Sequence, residues 1–178
     1  MREDEFADLF RAFAPRVRAY ARRHIDAGDC DDIVAETFLT AWRRRDDLPA
    51  QPLPWLIVTA RNTIANRTRG RRRAESLWRD AVATFWHQPV SLAPEDVVAE
   101  RDAMVGALAA CSPAEREALL LTAWDGLSYA EAARVLGCTE RALTVRISRG
   151  RARLIAHLRP ADRPDATTTT LRLVEDMP

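Results

Sequence analysis

The chain has 178 residues with 27 basic and 26 acidic side chains, a net charge of +1, and a hydrophobic content of 47%. That content suffices for one large packed domain or two small ones, which excludes a chain that is disordered throughout. The three cysteines form no CxxC pair, no apolar run approaches the length of a membrane span, and the N-terminal segment is unlike a signal peptide. We therefore expect a cytoplasmic protein in a reducing compartment, with no membrane insertion, metal or cofactor.

Apolar residues recur at helical spacing from the start of the chain, and no run alternates for long enough to predict a strand. The first amphipathic helix is marked by Phe6, Phe10, Phe13, Val17 and Tyr20. The second is marked by Val34, Phe38, Ala41 and Trp42, and it opens with acidic residues that suit a helix N-terminus. Residues 44–54 contain three prolines and predict a loop.

The third predicted helix begins at Trp55 and becomes strongly basic. Six arginines lie between Arg61 and Arg73, with no acidic residue in that interval. One polar stripe of this helix consists of Thr59, Asn62, Asn66, Arg69 and Arg73, at spacings of three or four. Asparagine can hydrogen-bond to bases while arginine holds phosphates, so the stripe is a candidate nucleic-acid surface. The alternative is a solvated basic face.

The helical pattern weakens from about residue 74, between scattered aromatic residues and prolines, and residues 76–95 are expected to form a linker. A second set of helices then begins near Val97. The tail, residues 160–178, contains four consecutive threonines and is expected to be disordered. The predicted fold is all-α, with two small helical domains at residues 1–75 and 96–159.

Two capping boxes mark helix starts in the second domain. They are Ser112-Pro113-Ala114-Glu115 and Ser128-Tyr129-Ala130-Glu131, each with serine followed three residues later by glutamate. The helix after the second box should end at Gly137, and Thr139 can cap the next one. Two helices joined by a short glycine-containing turn predict a helix-turn-helix over residues 128–155.

The second helix of this motif has two different sides. Its packing stripe is Leu143, Ile147, Gly150 and Leu154. Its other faces carry Arg141, Thr144, Val145, Arg146, Ser148, Arg149 and Arg153. Cations, hydroxyls and small apolar groups are what a recognition helix needs against phosphates and base edges. A solvated arginine face is again the alternative.

These features in this order resemble the extracytoplasmic-function sigma factors, the minimal class of bacterial RNA polymerase sigma subunits. Residues 31–42, DDIVAETFLTAW, resemble the family's polymerase-binding helix. Trp55-Leu56, Ala60-Arg61-Asn62 and the arginine run resemble its helix for promoter melting and −10 recognition. Residues 127–154, preceded by the first capping box, are similar to its −35-reading helix-turn-helix. The resemblance covers residues 5–158, with sigma region 2 at 1–75 and region 4 at 96–159.

The resemblance implies a role for each surface. Docking on a coiled coil of the largest subunit of core RNA polymerase is implied for Asp32, Glu36, Leu39 and Arg43. Binding of the −10 element is implied for Arg61, Asn62, Asn66, Arg69, Arg71, Arg72 and Arg73. Reading of the −35 element is implied for Arg141, Thr144, Val145, Ser148 and Arg149. A contact with the DNA backbone is implied for Arg146. The loop at 45–54 would help to capture a flipped base, and an anti-sigma factor is an expected further partner.

The sequence departs from the family pattern at a few of these positions. The family usually has glutamine at the position of Ala35, an acidic residue at Asn66, glycine at Arg141 and a basic residue at Thr144. These differences bear on the promoter sequence that is read rather than on the role of each surface.

Two other classes of protein were weighed. A stand-alone helix-turn-helix regulator that binds DNA as a homodimer would explain residues 112–158 but leave the acidic second helix and the basic third helix without a role. An enzyme acting on nucleic acid is disfavoured, because His24, His87 and His157 lie in no metal-binding or general-base pattern. The expected protein is therefore a non-enzymatic specificity subunit.

Overall fold

The structure is a computed structural model that describes residues 1–67 and 95–158, with the side chains of 1–67 and 102–158. Helices and no strand occur in these two ranges, which confirms the all-α fold. The residues before and after the gap belong to two compact units. The predicted linker lies outside the described residues except at Glu95, and the predicted tail lies outside them entirely.

The first unit is built from three helices that pack against one another in pairs. They are α1 (Glu3–Arg22), α2 (Cys30–Arg43) and α3 (Leu53–Arg67), with a short 3-10 turn at Ala27–Asp29. Their fully buried side chains include Val17, Tyr20, Ile33, Leu56 and Ile57. Each helix thus places one apolar stripe in a shared core and leaves its other side outward.

The aromatic residues at the N-terminal end of α1 pack differently from those further along it. Phe6 lies edge-on to Trp42, with 4.9 Å between ring centroids, and Phe10 lies edge-on to Phe38 at 4.7 Å. Phe10 nevertheless remains exposed. The predicted apolar face of α1 therefore enters the core at Val17 and forms a surface aromatic cluster at its start.

The third helix begins earlier than the proline pattern indicated. The loop was expected to extend to residue 54, yet α3 starts at Leu53 and includes Pro54. Proline is tolerated in a first helical turn, because its missing N–H would have no partner within the helix there. The prediction of the loop was therefore wrong at its last two positions.

The second unit contains α4 (Glu95–Ala110), α5 (Pro113–Leu119), α6 (Tyr129–Leu136) and α7 (Glu140–Leu158). A π-helical turn at Leu120–Trp124 follows α5 and was not anticipated from the sequence. The long helix α7 packs against α4, α5 and α6. It is therefore the element around which the second unit is organised.

The predicted caps of the second unit are confirmed. The Ser112 amide donates to Glu115 Oε2 at 2.9 Å, and the Ser128 amide donates to Glu131 Oε2 at 2.8 Å. Gly137 ends α6 with a φ of 63°, a left-handed conformation that favours glycine. Thr139 Oγ1 then accepts from the Ala142 amide at 3.2 Å. Local hydrogen bonding thus sets the bounds of the helix-turn-helix.

Gly150 is the point of closest approach between α7 and α5. A Cβ atom placed there would lie 2.8 Å from Leu119 Cδ1 and 3.4 Å from Glu115 Cβ. Leu119 is itself buried, so it has little room to move aside. The absence of a side chain at position 150 therefore sets how near the two helices can pack.

We expect Gly150→Val to lower the free energy of unfolding by about 1–3 kcal/mol, because the added carbons would overlap Leu119. Ala152→Val is the matched control, since Ala152 is exposed on the same helix, and valine there costs only its lower helix propensity of about 0.6 kcal/mol. Urea denaturation followed by circular dichroism measures both. Equal midpoints for the two variants would contradict this packing.

Candidate nucleic-acid and protein interfaces

The predicted recognition residues of α7 lie on one outward side of the helix. Arg141, Thr144, Val145, Ser148 and Arg149 are exposed, and Arg146 is half-buried. Val145 is 43% exposed, so an apolar side chain is available on this side of the helix. The Thr144 hydroxyl donates to the Glu140 carbonyl at 2.9 Å and so keeps its acceptor sites. This side of α7 therefore offers guanidinium donors, hydroxyls and one apolar group together.

The opposite side of α7 holds the helix in place. Leu143, Ile147 and Leu154 are buried at the predicted positions. Arg153, which the sequence placed on the open faces, pairs with Glu115 at 3.4 Å and also donates to the Ala110 carbonyl at 3.4 Å. Arg153 therefore ties α7 to the end of α4 and the start of α5 rather than facing a ligand.

The two capping glutamates have altered acidities. The Ser112 amide holds the pKa of Glu115 below its ordinary value, and the hydroxyl of Ser128 does the same for Glu131, helped by the Ser128 amide. Hydrogen bonds to the ionised carboxylate favour its charged form. The capping boxes at the starts of α5 and α6 are thus strongest when their glutamates are ionised.

A second outward stripe lies on α2 and matches the predicted docking residues. Asp32, Glu36, Leu39 and Arg43 follow at spacings of four, three and four and are all exposed. Leu39 is 47% exposed. The stripe presents two carboxylates and one guanidinium around one apolar side chain, so it can offer a partner an apolar contact within a polar rim.

Arg67, at the end of α3, contacts this stripe and was missed by the sequence reasoning. Its Nη1 donates to Asp32 Oδ2 at 3.2 Å, and its Nη2 donates to Glu36 Oε1. These two bonds raise the pKa of Arg67 above its ordinary value, and the bond to Glu36 has the larger effect. The partners lie more than thirty residues apart in the chain, so helical periodicity alone could not reveal the contact. The signal in the sequence was that α2 carries two acidic residues one turn apart and that the next helix, α3, is basic.

The polar stripe of α3 is only partly described. Arg61, Asn62 and Asn66 are exposed on it. The Thr59 hydroxyl donates to the Trp55 carbonyl of the same helix at 2.9 Å, so its proton is used within the helix. Arg69, Arg71, Arg72 and Arg73 lie outside the described residues. The described part of α3 therefore places Arg61, Asn62 and Asn66 at exposed positions of one helix.

The loop between α2 and α3 begins from an ordered aromatic contact. The Arg45 guanidinium lies over the Trp42 ring at 4.6 Å from the centroid and donates to the Trp42 carbonyl at 3.1 Å. A cation over an indole face is an attractive arrangement. The first residues of the loop are therefore anchored to the end of α2.

Other kinds of site were sought in the same residues. Among those that the structure describes, no three or more histidine, cysteine, aspartate or glutamate side chains are grouped as metal ligands. None of the helices in the described ranges is long and apolar enough to cross a membrane. The outward sides of α2, α3 and α7 remain the candidate surfaces.

The chain matches two family models, Sigma-70 region 2 over residues 9–74 and Sigma-70, region 4 over residues 101–154. It is 31% identical to the RNA polymerase sigma factor CarQ of Myxococcus xanthus over 153 residues, which cover 83% of this chain and 86% of CarQ. It is 32% identical to the ECF RNA polymerase sigma factor EcfG of Rhodopseudomonas palustris, with 87% and 86% covered.

Two solved structures share the fold. The sigma factor RpoE in complex with the anti-sigma factor NepR, from Bartonella quintana, superposes with a TM-score of 0.62 and 27% identity, covering 89% of this chain and 99% of RpoE. CnrH in complex with the cytosolic domain of CnrY superposes with a TM-score of 0.59 and 29% identity, covering 88% of this chain and 89% of CnrH. The architecture of this chain is thus that of known sigma factors.

We expect Glu131→Gln to reduce the pH dependence of stability. A carboxylate whose pKa is lowered in the folded state stabilises it above the ordinary value of 4.5, and that contribution is lost as pH falls through the lowered pKa. The wild type should therefore lose up to about 1 kcal/mol more than the variant between pH 7 and pH 3. Urea midpoints at both pH values measure this, and identical losses in the two proteins would refute the role of the ionised cap.

Proposed function

This chain belongs to the RNA polymerase sigma factors of the sigma-70 family, in the extracytoplasmic-function branch, and we propose how its exposed surfaces divide the steps of promoter recognition. Sigma factors direct transcription initiation with core RNA polymerase, and regions 2 and 4 recognise the −10 and −35 promoter elements. The supporting observation is that α2, α3 and α7 each bury one side and expose a different set of polar groups. The proposal assigns one step to each of them.

The outward side of α7 reads the −35 element. B-DNA has a major groove wide enough to admit one helix, and arginine pairs there with guanine in a bidentate manner. Arg141 and Arg149 supply such donors, Thr144 and Ser148 supply hydroxyls, and Val145 suits a thymine methyl group. Arg146 is half-buried at the edge of this side and suits a phosphate contact.

The outward side of α3 binds the −10 element as it opens. Asn62 and Asn66 can hydrogen-bond to base edges, while Arg61 holds the backbone. Four further arginines would extend this surface, and they are included only because of their residue type: Arg69, Arg71, Arg72 and Arg73. The segment at 45–54, whose last two residues begin α3, captures a base flipped from the strand, a step that costs a few kcal/mol in lost stacking and pairing.

The outward stripe of α2 docks on the coiled coil of the largest polymerase subunit. Asp32 and Glu36 would pair with basic groups of the polymerase, and Leu39 would supply the apolar contact between them. Arg43 extends the stripe by one turn. An exposed leucine within a charged rim has the composition of a protein interface.

The proposal extends to the whole protein. Region 2 would occupy residues 1–75 and region 4 residues 96–159, joined by a linker. An anti-sigma factor is a proposed partner, supported by the similar structure of RpoE in complex with the anti-sigma factor NepR. We expect the protein to act in the cytoplasm and to have no catalytic activity of its own. A homodimeric regulator is disfavoured, because it would give the α2 stripe no role.

We expect Arg149→Ala to weaken promoter binding by the reconstituted holoenzyme by about 1–3 kcal/mol, and either to relax the −35 preference or to lower the salt slope by about 1. A library of promoter fragments, selected first with the wild type, supplies the DNA for filter binding. Arg149 is exposed and its charge favours the ionised form of Glu115, so the urea midpoint of the variant should fall only slightly.

Arg153→Ala is the matched control for that experiment. It removes the same charge one turn further along α7, but Arg153 is bonded to Glu115 and the Ala110 carbonyl. It should lower stability more than it lowers promoter affinity. If the two variants change affinity alike, α7 does not read DNA through the proposed side.

We expect Glu36→Arg to abolish association with core polymerase, because it places a cation against the basic groups that the carboxylate would bind. Asp4→Arg makes the same charge change at an exposed position of α1 and should leave association intact. Pull-down with core polymerase, with circular dichroism to verify folding, measures both. Normal association of Glu36→Arg would disprove docking through α2.

A further inference from the structure

Arg67 joins two surfaces to which different partners have been assigned. It is the last residue of α3, the helix proposed to bind the −10 element. Its guanidinium is bonded to Asp32 and Glu36, two of the residues proposed to bind polymerase. In the free protein, therefore, a residue of the DNA-binding helix occupies part of the docking stripe.

We propose that core polymerase and Arg67 compete for the same two carboxylates, and that docking releases Arg67 to hold a promoter phosphate beside the −10 element. This inference rests on the docking role proposed for α2. It adds a positioning residue that makes the −10 surface more complete in the holoenzyme than in the free sigma factor.

The geometry of the contact favours competition. Asp32 and Glu36 lie one turn apart on the same side of α2, so their carboxylates can hold the two ends of one planar guanidinium. Arg67 does so, with Nη1 on Asp32 Oδ2 and Nη2 on Glu36 Oε1. A basic group of the polymerase that approaches these carboxylates finds one oxygen of each already bonded and their charge partly compensated, so it pairs more strongly once Arg67 has left.

The contact is also weak enough to exchange. The side chains of Arg67, Asp32 and Glu36 are 33%, 67% and 48% exposed. Ion pairs at such exposure contribute little, because water solvates the separated charges well. Ile64 is buried one turn earlier and keeps α3 in the core. Arg67 can therefore leave the carboxylates by rotating its side chain, without unpacking the helix.

Release changes what α3 offers to DNA. While Arg67 is bonded to two carboxylates, its charge is compensated and a phosphate beside it gains little attraction. Once polymerase has bound the carboxylates, the guanidinium becomes an additional cation on the same helix as Asn62 and Asn66. Each phosphate neutralised by such a cation adds to the salt dependence of binding.

The test uses Arg67→Gln in the full-length protein, with labelled sigma factor titrated against core polymerase. Affinity for core polymerase should rise about two- to fivefold, as expected for removing a surface ion pair that docking must break. The holoenzyme should bind promoter DNA more weakly, with a salt slope lower by about 1. Arg67→Lys keeps the charge without the planar fork and should lie between wild type and Arg67→Gln in core affinity.

Arg61→Gln is the matched control. It removes the same charge from an exposed position of the same helix. It should weaken promoter binding while leaving affinity for core polymerase unchanged. A gain in core affinity equal to that of Arg67→Gln would show that the effect is general charge and would overturn competition.

Glu36→Gln separates this inference from the docking role beneath it. If Glu36→Gln weakens core binding and Arg67→Gln raises it, with a smaller gain in the double variant, competition is supported. If Glu36→Gln weakens core binding but Arg67→Gln does not raise it, Arg67 does not compete, while docking through α2 stands. If Glu36→Gln binds core polymerase like the wild type, the docking role itself fails. Urea midpoints verify that each variant is folded.

Discussion

The burial of one stripe on each helix is the constraint on which both units depend. Helices of this length are marginal in water by themselves, so each must place its apolar side against a neighbour. Val17, Ile33 and Ile57 are buried in the first unit, while Leu143, Ile147 and Leu119 are buried in the second. Whatever remains on the opposite sides is available to partners, and in α2, α3 and α7 those sides are polar and chemically distinct.

Several features could be predicted from the sequence because they arise from contacts between near neighbours in the chain. The boxes at Ser112 and Ser128, the left-handed Gly137 and the cap at Thr139 each join residues within a few positions of one another, and all are confirmed. Helical periodicity likewise separated the buried from the exposed residues of α2 and α7. These features are sufficient to define the helix-turn-helix and to orient its outward side.

Contacts between distant residues were beyond the same reasoning. Arg153 looked like one more cation on an open face, yet it bonds to Glu115 across the second unit. Arg67 had no assigned role, because its partners depend on how α2 and α3 pack. The π-helical turn after α5 carries no residue pattern that distinguishes it from ordinary helix. With all 27 basic residues being arginine, residue type cannot separate structural from ligand-binding cations, and packing decides between them.

The close approach at Gly150 has a bearing on how such a protein can change its promoter. The contact with Leu119 lies on the side of α7 opposite to Thr144 and Ser148. The outward residues of the helix can therefore be substituted without changing how α7 packs against α5. Specificity and stability are thus carried by separate positions of one helix. A designer could transplant another recognition surface onto this scaffold by changing a handful of outward residues, provided that position 150 stays small.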